Sequence, residues 1–427
     1  MNSLIIFSLL VTLMLTGMPI SISLGLTVLT FLFFMTQVPI EAVAMKLFTG
    51  IEKFEIMAIP FFILAGNFLT HGGVARRMIK FATSMVGHWA GGLGLGGVLA
   101  CALFAAVSGS SPATVVAIGS ILMPAMVKAG FPKRFGAGVI TTSGALGILI
   151  PPSIVMVMYS VSTNTSVGAL FMAGVLPGIV LASMLGFTTW YRAWKYKYPR
   201  QPKATWKERW GSFRKAVWGL ILIVIVMGGI YSGMFTPTEA AAVSAVYAFI
   251  VAVFIYKDMG LKDVPKVLLS SANMSAMLLY IITNAVLFSF LMTHENIPQE
   301  MASWMIGTGV GVIGFLLISN VLMLLAGNFM EPSSIVLILA PILFPIASKL
   351  GIDPVHFGII MVVNMEVGMC HPPVGLNLYV SSGITKMGIT ELTIAVWPWL
   401  LTMLIFLVLV TYWPPLSTWL PKTIGMM

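Results

Sequence analysis

Long apolar runs follow one another from end to end of this chain, and charge seldom interrupts them. No other feature narrows the possible folds as much. Inside hydrocarbon every backbone N–H and C=O must find its partner within the protein, and a helix meets that demand within one segment. Only 8% of the residues are charged, against about 25% in soluble domains. An all-α polytopic membrane protein is expected. The longest polar stretch, residues 192–215, is too short for a soluble domain. The opening MNSLIIFSLLVTLMLTG lacks a basic leader and an A-x-A cleavage site, and reads as a first membrane helix instead of a removed signal. Cys101 and Cys370 sit in apolar surroundings and suggest neither a disulfide framework nor a zinc site.

The basic residues set the topology. A net charge of +10 tempts one toward nucleic acid, but in a membrane chain lysine and arginine mark cytoplasmic loops, so no nucleic-acid partner is expected. With the N-terminus outside, segments near 3–17 and 19–37 go in and out. Residues 40–55 form an interfacial amphipathic helix, and 57–74 leads in to Arg76, Arg77 and Lys80. Segments 92–108 and 112–127 leave the inside and return to it; 136–162 crosses out and 168–190 crosses back. In the second half 216–233, 237–256 and 267–292 cross in turn. Segments 308–327 and 333–347 enter and leave from the outside, 356–384 crosses in, and 392–413 crosses out. All but four of the 23 basic residues then lie inside, the exceptions being Lys46, Lys53, Lys349 and Lys422. Residues 192–215, with nine basic residues and the single acid Glu208, read as an orientation-setting cytoplasmic connector. Binding of anionic headgroups is the functional alternative.

The chain also matches itself at an offset near 220. SPATVVAIGSILMPAMVKAGFPKRFG meets EPSSIVLILAPILFPIASKLGIDPVHFG, and GILIPP (residues 147–152) meets GMCHPP (residues 368–373). Each half has five full crossings in this threading. Five is odd, so the second repeat is inverted relative to the first, an arrangement typical of secondary transporters. The expected units are residues 1–191, the connector 192–215, and residues 216–427.

Two interruptions recur in each half. The first is a polar turn between apolar arms, SGSSPAT at 108–114 and its partner at 327–334. An arm of about 16 residues rises roughly 24 Å as a helix, short of a hydrocarbon core of about 30 Å. With Lys128 held inside, a pair of re-entrant hairpins, 92–127 and 308–347, is the economical answer. The second interruption is a double proline, Pro151 with Pro152 and Pro372 with Pro373, which breaks the segments 136–162 and 356–384 and frees carbonyls. Sodium suits such oxygens, and the hydroxyls of Ser108, Ser110 and Ser111 add to the set. The helices that begin at Pro112 and Pro332 aim positive ends at a substrate carboxylate. The expected substrate region gathers Ser111, Pro112, Thr114, Pro151, Pro152 and Ser153 from the first half. Glu331, Pro332, Ser333, Pro372 and Pro373 supply it from the second.

SGSSPATVVAIGS, GILIPPSIVMVMYS, MFTPTEAAAV, AGNFMEPSSIVLILAPI and HPPVGLNLYV together resemble the large membrane (DctM-type) subunit of tripartite ATP-independent periplasmic transporters. The likeness covers essentially the whole chain. It implies an elevator-type permease in a bacterial inner membrane, where the threading above puts both termini on the periplasmic side. It also implies two partners, a small four-helix (DctQ-type) membrane subunit and a periplasmic (DctP-type) solute-binding protein that delivers an organic acid. Coupling is to sodium; no Walker motif, other cofactor or transition metal is expected. The resemblance places one sodium site on Ser108, Ser110, Gly144, Gly147 and Ile150. It places the other on Gly327, Met330, Gly368, Cys370 and His371. Many members carry threonine where His371 stands. Imidazole is a poor sodium ligand, so His371 stands open among ligand, substrate contact, titrating group and packing residue. A C4-dicarboxylate is the expected substrate, with sialic acid or another sugar or keto acid as the alternative. A symporter that needs no binding protein is the rival transporter.

Other features carry less. Glu331 and Glu366 are intramembrane carboxylates; Glu331 is expected to cap the helix at Pro332 or sit near a cation, and Glu366 to face the second sodium site. Glu239 reads as the first-turn acid of a helix capped by Thr236. GGLGLGG follows no strand and reads as tight helix packing, not a dinucleotide loop. His71 and His294 lie at segment ends, and the sequon NTS at 164–166 means little in a bacterial chain. No Ser/His/Asp arrangement supports an intramembrane hydrolase, so no enzyme is expected.

Overall fold

The computed structural model describes residues 2–307, 309–328 and 330–427. Met1, Thr308 (the expected start of the second hairpin) and Phe329 (within its expected tip) lie outside the described residues. Helices dominate, and among the described residues there is no strand. Among the described residues, eight helices are long and apolar enough to cross a membrane, from Phe54–His71 to Ile389–Tyr412, beside several shorter apolar helices.

The outer frame is built on the long helix Val264–His294. It packs on Ile20–Met35, Ile40–Ile51 and Ala58–His71, and the last of these also carries Pro237–Ile250. Inside it the hairpins and broken helices interleave. Gly92–Ser108 and Ser111–Lys128 form one helix pair, Val312–Gly327 and Pro332–Lys349 the other. Each pair packs on the broken helix of its own half. Each also reaches across to the opposite half: Ser111–Lys128 lies on Leu376–Thr385, and Pro332–Lys349 lies on Ile154–Thr163.

Local chemistry differs from expectation in a few places. The basic connector is mostly helical. Val167–Lys195 runs on past Arg192, and a new helix starts at Trp206, where Thr205 and Glu208 form a reciprocal capping box. Only residues 196–205 link the two. Thr236 and Glu239 form the same box at Pro237–Ile250, as the sequence suggests. Val74–Val86 is a helix that the charges hid. Val74, Ala75, Met78, Ile79 and Ala82 are buried, while Arg76 and Lys80 point out. Asp258, beyond the candidate spans, pairs with Arg76 at 2.9 Å and with Arg77. Burial alone raises the Asp258 pKa; the Arg77 and Arg76 guanidiniums outweigh it and hold the carboxyl below its ordinary value.

Candidate ion and substrate site

The first tip follows from its residue types. Gly92–Ser108 ends at Gly109, which turns the chain at a φ of +62°. Ser110 is extended, and Pro112 falls in the first turn of Ser111–Lys128, where a missing N–H leaves no bond unmade. The Ser108 and Thr114 hydroxyls lie 2.9 Å apart, and Thr114 Oγ1 donates to Ser110 O at 2.8 Å.

The matching break lies directly behind this tip. Lys133–Gly144 tightens into a 3-10 turn, Ala145–Ile148, and stops before Pro151-Pro152, whose peptide bond is cis. Ser153 closes the gap: its hydroxyl donates to Ile148 O (2.6 Å) and accepts from Met156 N (3.3 Å), capping Ile154–Thr163. Gly147 backs onto the tip so closely that a Cβ there would lie 2.6 Å from Ser110 O. A side chain at 147 would push tip and break apart.

The second half repeats the contact with different atoms. Pro354–Cys370 ends at His371, Pro372-Pro373 is also cis, and Gly375 leads into Leu376–Thr385. Gly327 of the tip meets Gly368 of the broken helix backbone to backbone; a Cβ on either would sit 2.9 Å from the other's Cα. Asn328 holds the break twice. Its Oδ1 lies 2.9 Å from His371 Nδ1, and its backbone oxygen accepts from Gly375 N at 3.4 Å. His371 therefore faces the tip.

Many of the expected site residues thus meet in two places. Ser108, Ser110, Ser111, Thr114, Gly147, Pro152 and Ser153 converge at the first, and Gly327, Gly368 and His371 at the second, while Cys370 turns its Sγ toward Thr141 and Asn377. Gly144 lies one step away, against Val115 of Ser111–Lys128, and the Ile150 side chain turns toward Gly178. Met330 is half-buried and Pro373 exposed, whereas Pro151 and Pro152 are buried. Glu331 needs a correction. It occupies the N-cap position but makes no side-chain cap; its carboxylate accepts from the Ser333 hydroxyl at 2.7 Å instead. Glu366 is fully buried, and neither of its oxygens has a partner among the described residues. Ionised, a carboxyl there would need a positive partner; protonated, it would need none.

The sequence reading missed the residue that joins the two places. Asn377, fully buried on Leu376–Thr385, reaches the first tip. Its amide donates to Ser111 Oγ (2.7 Å) and Thr141 O (3.3 Å). Cys370 Sγ lies 3.4 Å from the same Thr141 oxygen, and the Thr141 and Ser381 hydroxyls lie 2.7 Å apart. A buried chain of Asn364, Asn320 and Thr411 ties the second hairpin to Pro354–Cys370 and Ile389–Tyr412. The available signal was the cost of asparagine in an apolar helix. Farther out, Lys53 donates to Val161 O (2.5 Å) and Asn164 Oδ1 (2.7 Å), clasping the end of Ile154–Thr163. Burial lowers the Lys53 pKa from its ordinary value, against the opposing pull of Glu55.

Spans, paired hairpins and paired breaks define an all-helical, multi-pass membrane protein. A solved structure described as the Alcanivorax borkumensis YdaH transporter shares this fold, with a TM-score of 0.63 at 16% identity, covering 88% of this chain and 90% of that one. Residues 7–416 match the family model described as "Tripartite ATP-independent periplasmic transporter, DctM component", and the chain belongs to that family. It is 75% identical to the Rhodobacter capsulatus C4-dicarboxylate TRAP transporter large permease protein DctM, over all of both chains. The Pseudomonas aeruginosa protein of the same description is 55% identical over 95% of each chain. These are transporter components, not enzymes.

Proposed function

We propose that this chain is the membrane permease of a sodium-coupled transporter for C4-dicarboxylates in a bacterial inner membrane. A periplasmic binding protein delivers the substrate, and a small DctQ-type subunit completes the complex. The substrate assignment rests on the 75% identity to a relative of that description. The two halves are inverted repeats, the hairpins are re-entrant, both termini are periplasmic, and hairpins with broken helices move as one body against the frame. One sodium ion lies between the first tip and break, at Ser108, Ser110, Gly144, Gly147 and Ile150. The other lies at Gly327, Met330, Gly368, Cys370 and His371.

The observation that carries this reading is the matched close approach, Gly147 on Ser110 and Gly327 on Gly368. In both halves it brings a hairpin tip against a helix broken at a double proline. A desolvated sodium ion exchanges its water for protein oxygens, and a substrate carboxylate meets the positive ends of the helices at Pro112 and Pro332. Side chains serve mainly to hold backbone oxygens in place, and the contact of His371 with Asn328 fits that role.

The test is uptake of a labelled C4-dicarboxylate into vesicles holding this chain and its small subunit. Uptake should need both an inward sodium gradient and the cognate binding protein. Ser108→Ala should raise the sodium concentration for half-maximal uptake while the protein still inserts. Uptake indifferent to sodium would sink the coupling, and full uptake without a binding protein would favour a two-component symporter.

A further inference from the structure

One cavity shares no lining residue with the tips and breaks. It measures about 640 Å³ and is walled by Val74–Val86, by the link at 196–205 and by the start of Trp206–Ile223. Its charged lining is Lys80, Lys203 and Lys215 against one carboxylate, Glu208. That carboxylate is already engaged, accepting from Thr205 N (2.7 Å) and Thr205 Oγ1 (3.0 Å). None of the three lysines makes an ion pair among the described residues. The hydroxyl protons of the lining are engaged too: Thr83 donates to Ile79 O and Ser84 to Phe81 O, both at 2.7 Å, and Ser212 donates to Glu208 O. What the cavity offers a guest is three ammonium groups and the side-chain amide of Gln201.

The setting of the cavity fits an anion. Arg209, on the same helix but outside the cavity lining, is half-buried with Nε and Nη2 lacking an acceptor among the described residues, and adds positive charge to that helix. The cavity also lies where the spans Val167–Lys195 and Trp206–Tyr231 end, and Trp190, Trp194, Trp206 and Trp210 are exposed around those ends. Tryptophans gather at headgroup depth, because that is where one side of the ring is wet and the other apolar.

We propose that this cavity binds a phosphate group, presented by an anionic phospholipid headgroup. The ammonium groups neutralise the phosphate, and the tryptophans hold the cavity at the depth where headgroups lie. A free phosphate shares the chemistry, but the placement at two span ends favours the lipid.

The full chain, purified in mild detergent, is tested by native mass spectrometry with phosphatidylglycerol or phosphatidylcholine added. Wild type should retain phosphatidylglycerol preferentially. Lys203→Gln should weaken that retention about fivefold, the roughly 1 kcal/mol each basic residue contributes beside an anionic leaflet. The variant K80Q/K203Q/K215Q should abolish the preference, and Lys349→Gln, expected on the opposite face, should leave it intact. Lys203 lies in the link outside any helix, so the single variant carries the test if the triple one fails to fold. Retention that resists excess inorganic phosphate assigns the site to lipid. Lysine-dependent binding of inorganic phosphate alone keeps the anion site and assigns it to a soluble ligand. Equal retention by wild type and the lysine variants, or equal loss in Lys349→Gln, overturns the proposal.

Discussion

Asn377 and Ser111 are 266 residues apart in sequence and joined by a buried hydrogen bond of 2.7 Å. Removing each partner alone and both together isolates the strength of that tie. Asn377→Ala also loses the contact with Thr141 O at 3.3 Å and leaves a small void, so roughly 2–3 kcal/mol of destabilisation is expected. Ser111→Ala should cost about 1 kcal/mol. Interhelical hydrogen bonds in a membrane average about 0.6 kcal/mol and reach about 1.7. The short distance and complete burial put this pair in the upper part of that range. The double variant should therefore be less destabilised than the sum of the singles, by about 1–1.5 kcal/mol. Reversible unfolding in mixed micelles, followed by tryptophan fluorescence, measures all three. Independent sites add within roughly 0.5 kcal/mol. A coupling inside that margin would refute the claim that the second broken helix holds the first tip. The same variants in vesicles should raise the sodium concentration for half-maximal uptake, because a released Ser111 lets the tip drift from Gly147.

Gly368→Ala should sharply reduce uptake. Its Cβ would meet Gly327 Cα at 2.9 Å, where ordinary contact begins near 3.4 Å, and overpacking of this kind costs roughly 1–3 kcal/mol. Gly383→Ala, with nothing within 4 Å of the new atom, should match wild type in the same assay. Lys53→Met removes both bonds to the end of Ile154–Thr163, and should raise proteolytic cleavage near Asn164 in right-side-out vesicles; unchanged cleavage argues against the clasp. Asp258→Asn should lower stability at neutral pH by at most about 1 kcal/mol, because the ion pair is partly exposed. The depressed Asp258 pKa means the contribution is present above the ordinary value of 3.8 and lost as pH falls through the folded value. Denaturation curves of wild type and variant should therefore converge in acid; a gap that persists there excludes the ion pair as its cause.

What could be read from the sequence was what local chemistry decides. Proline and glycine act on their own stretch of backbone, so the two tips and two double prolines were visible, and their recurrence at a fixed offset marked them as pairs. Thr236 and Glu239 were legible for the same reason. The box of Thr205 and Glu208 has the same spacing, but a run of basic residues drew attention away from it. Charge also hid Val74–Val86, whose apolar residues repeat at helical spacing while its mean polarity suggests a loop. The ties between halves were beyond reach. Nothing near Asn377 in sequence indicates Ser111, because that distance is set only when Ser111–Lys128 lies on Leu376–Thr385.

The repeat suggests two equivalent sites, and the packing makes them unequal. Pro151, Pro152 and Ser153 are buried, and Ser153 bonds both sides of the first break. At the second break Pro373 is exposed and His371 half-buried, and no side chain spans the gap as Ser153 does among the described residues. The hold comes from the tip instead, through Asn328. The first break thus keeps its shape by itself, while the second depends on where its hairpin stands. The helix that follows the second break also carries Asn377 to the first tip. A shift of the second hairpin therefore acts on the more open break, and through Leu376–Thr385 on Ser111, whereas among the described residues the first break has no such side-chain bond to the second tip. Two stretches alike in sequence have unequal leverage, because a serine spans one gap and an asparagine reaches out from beyond the other.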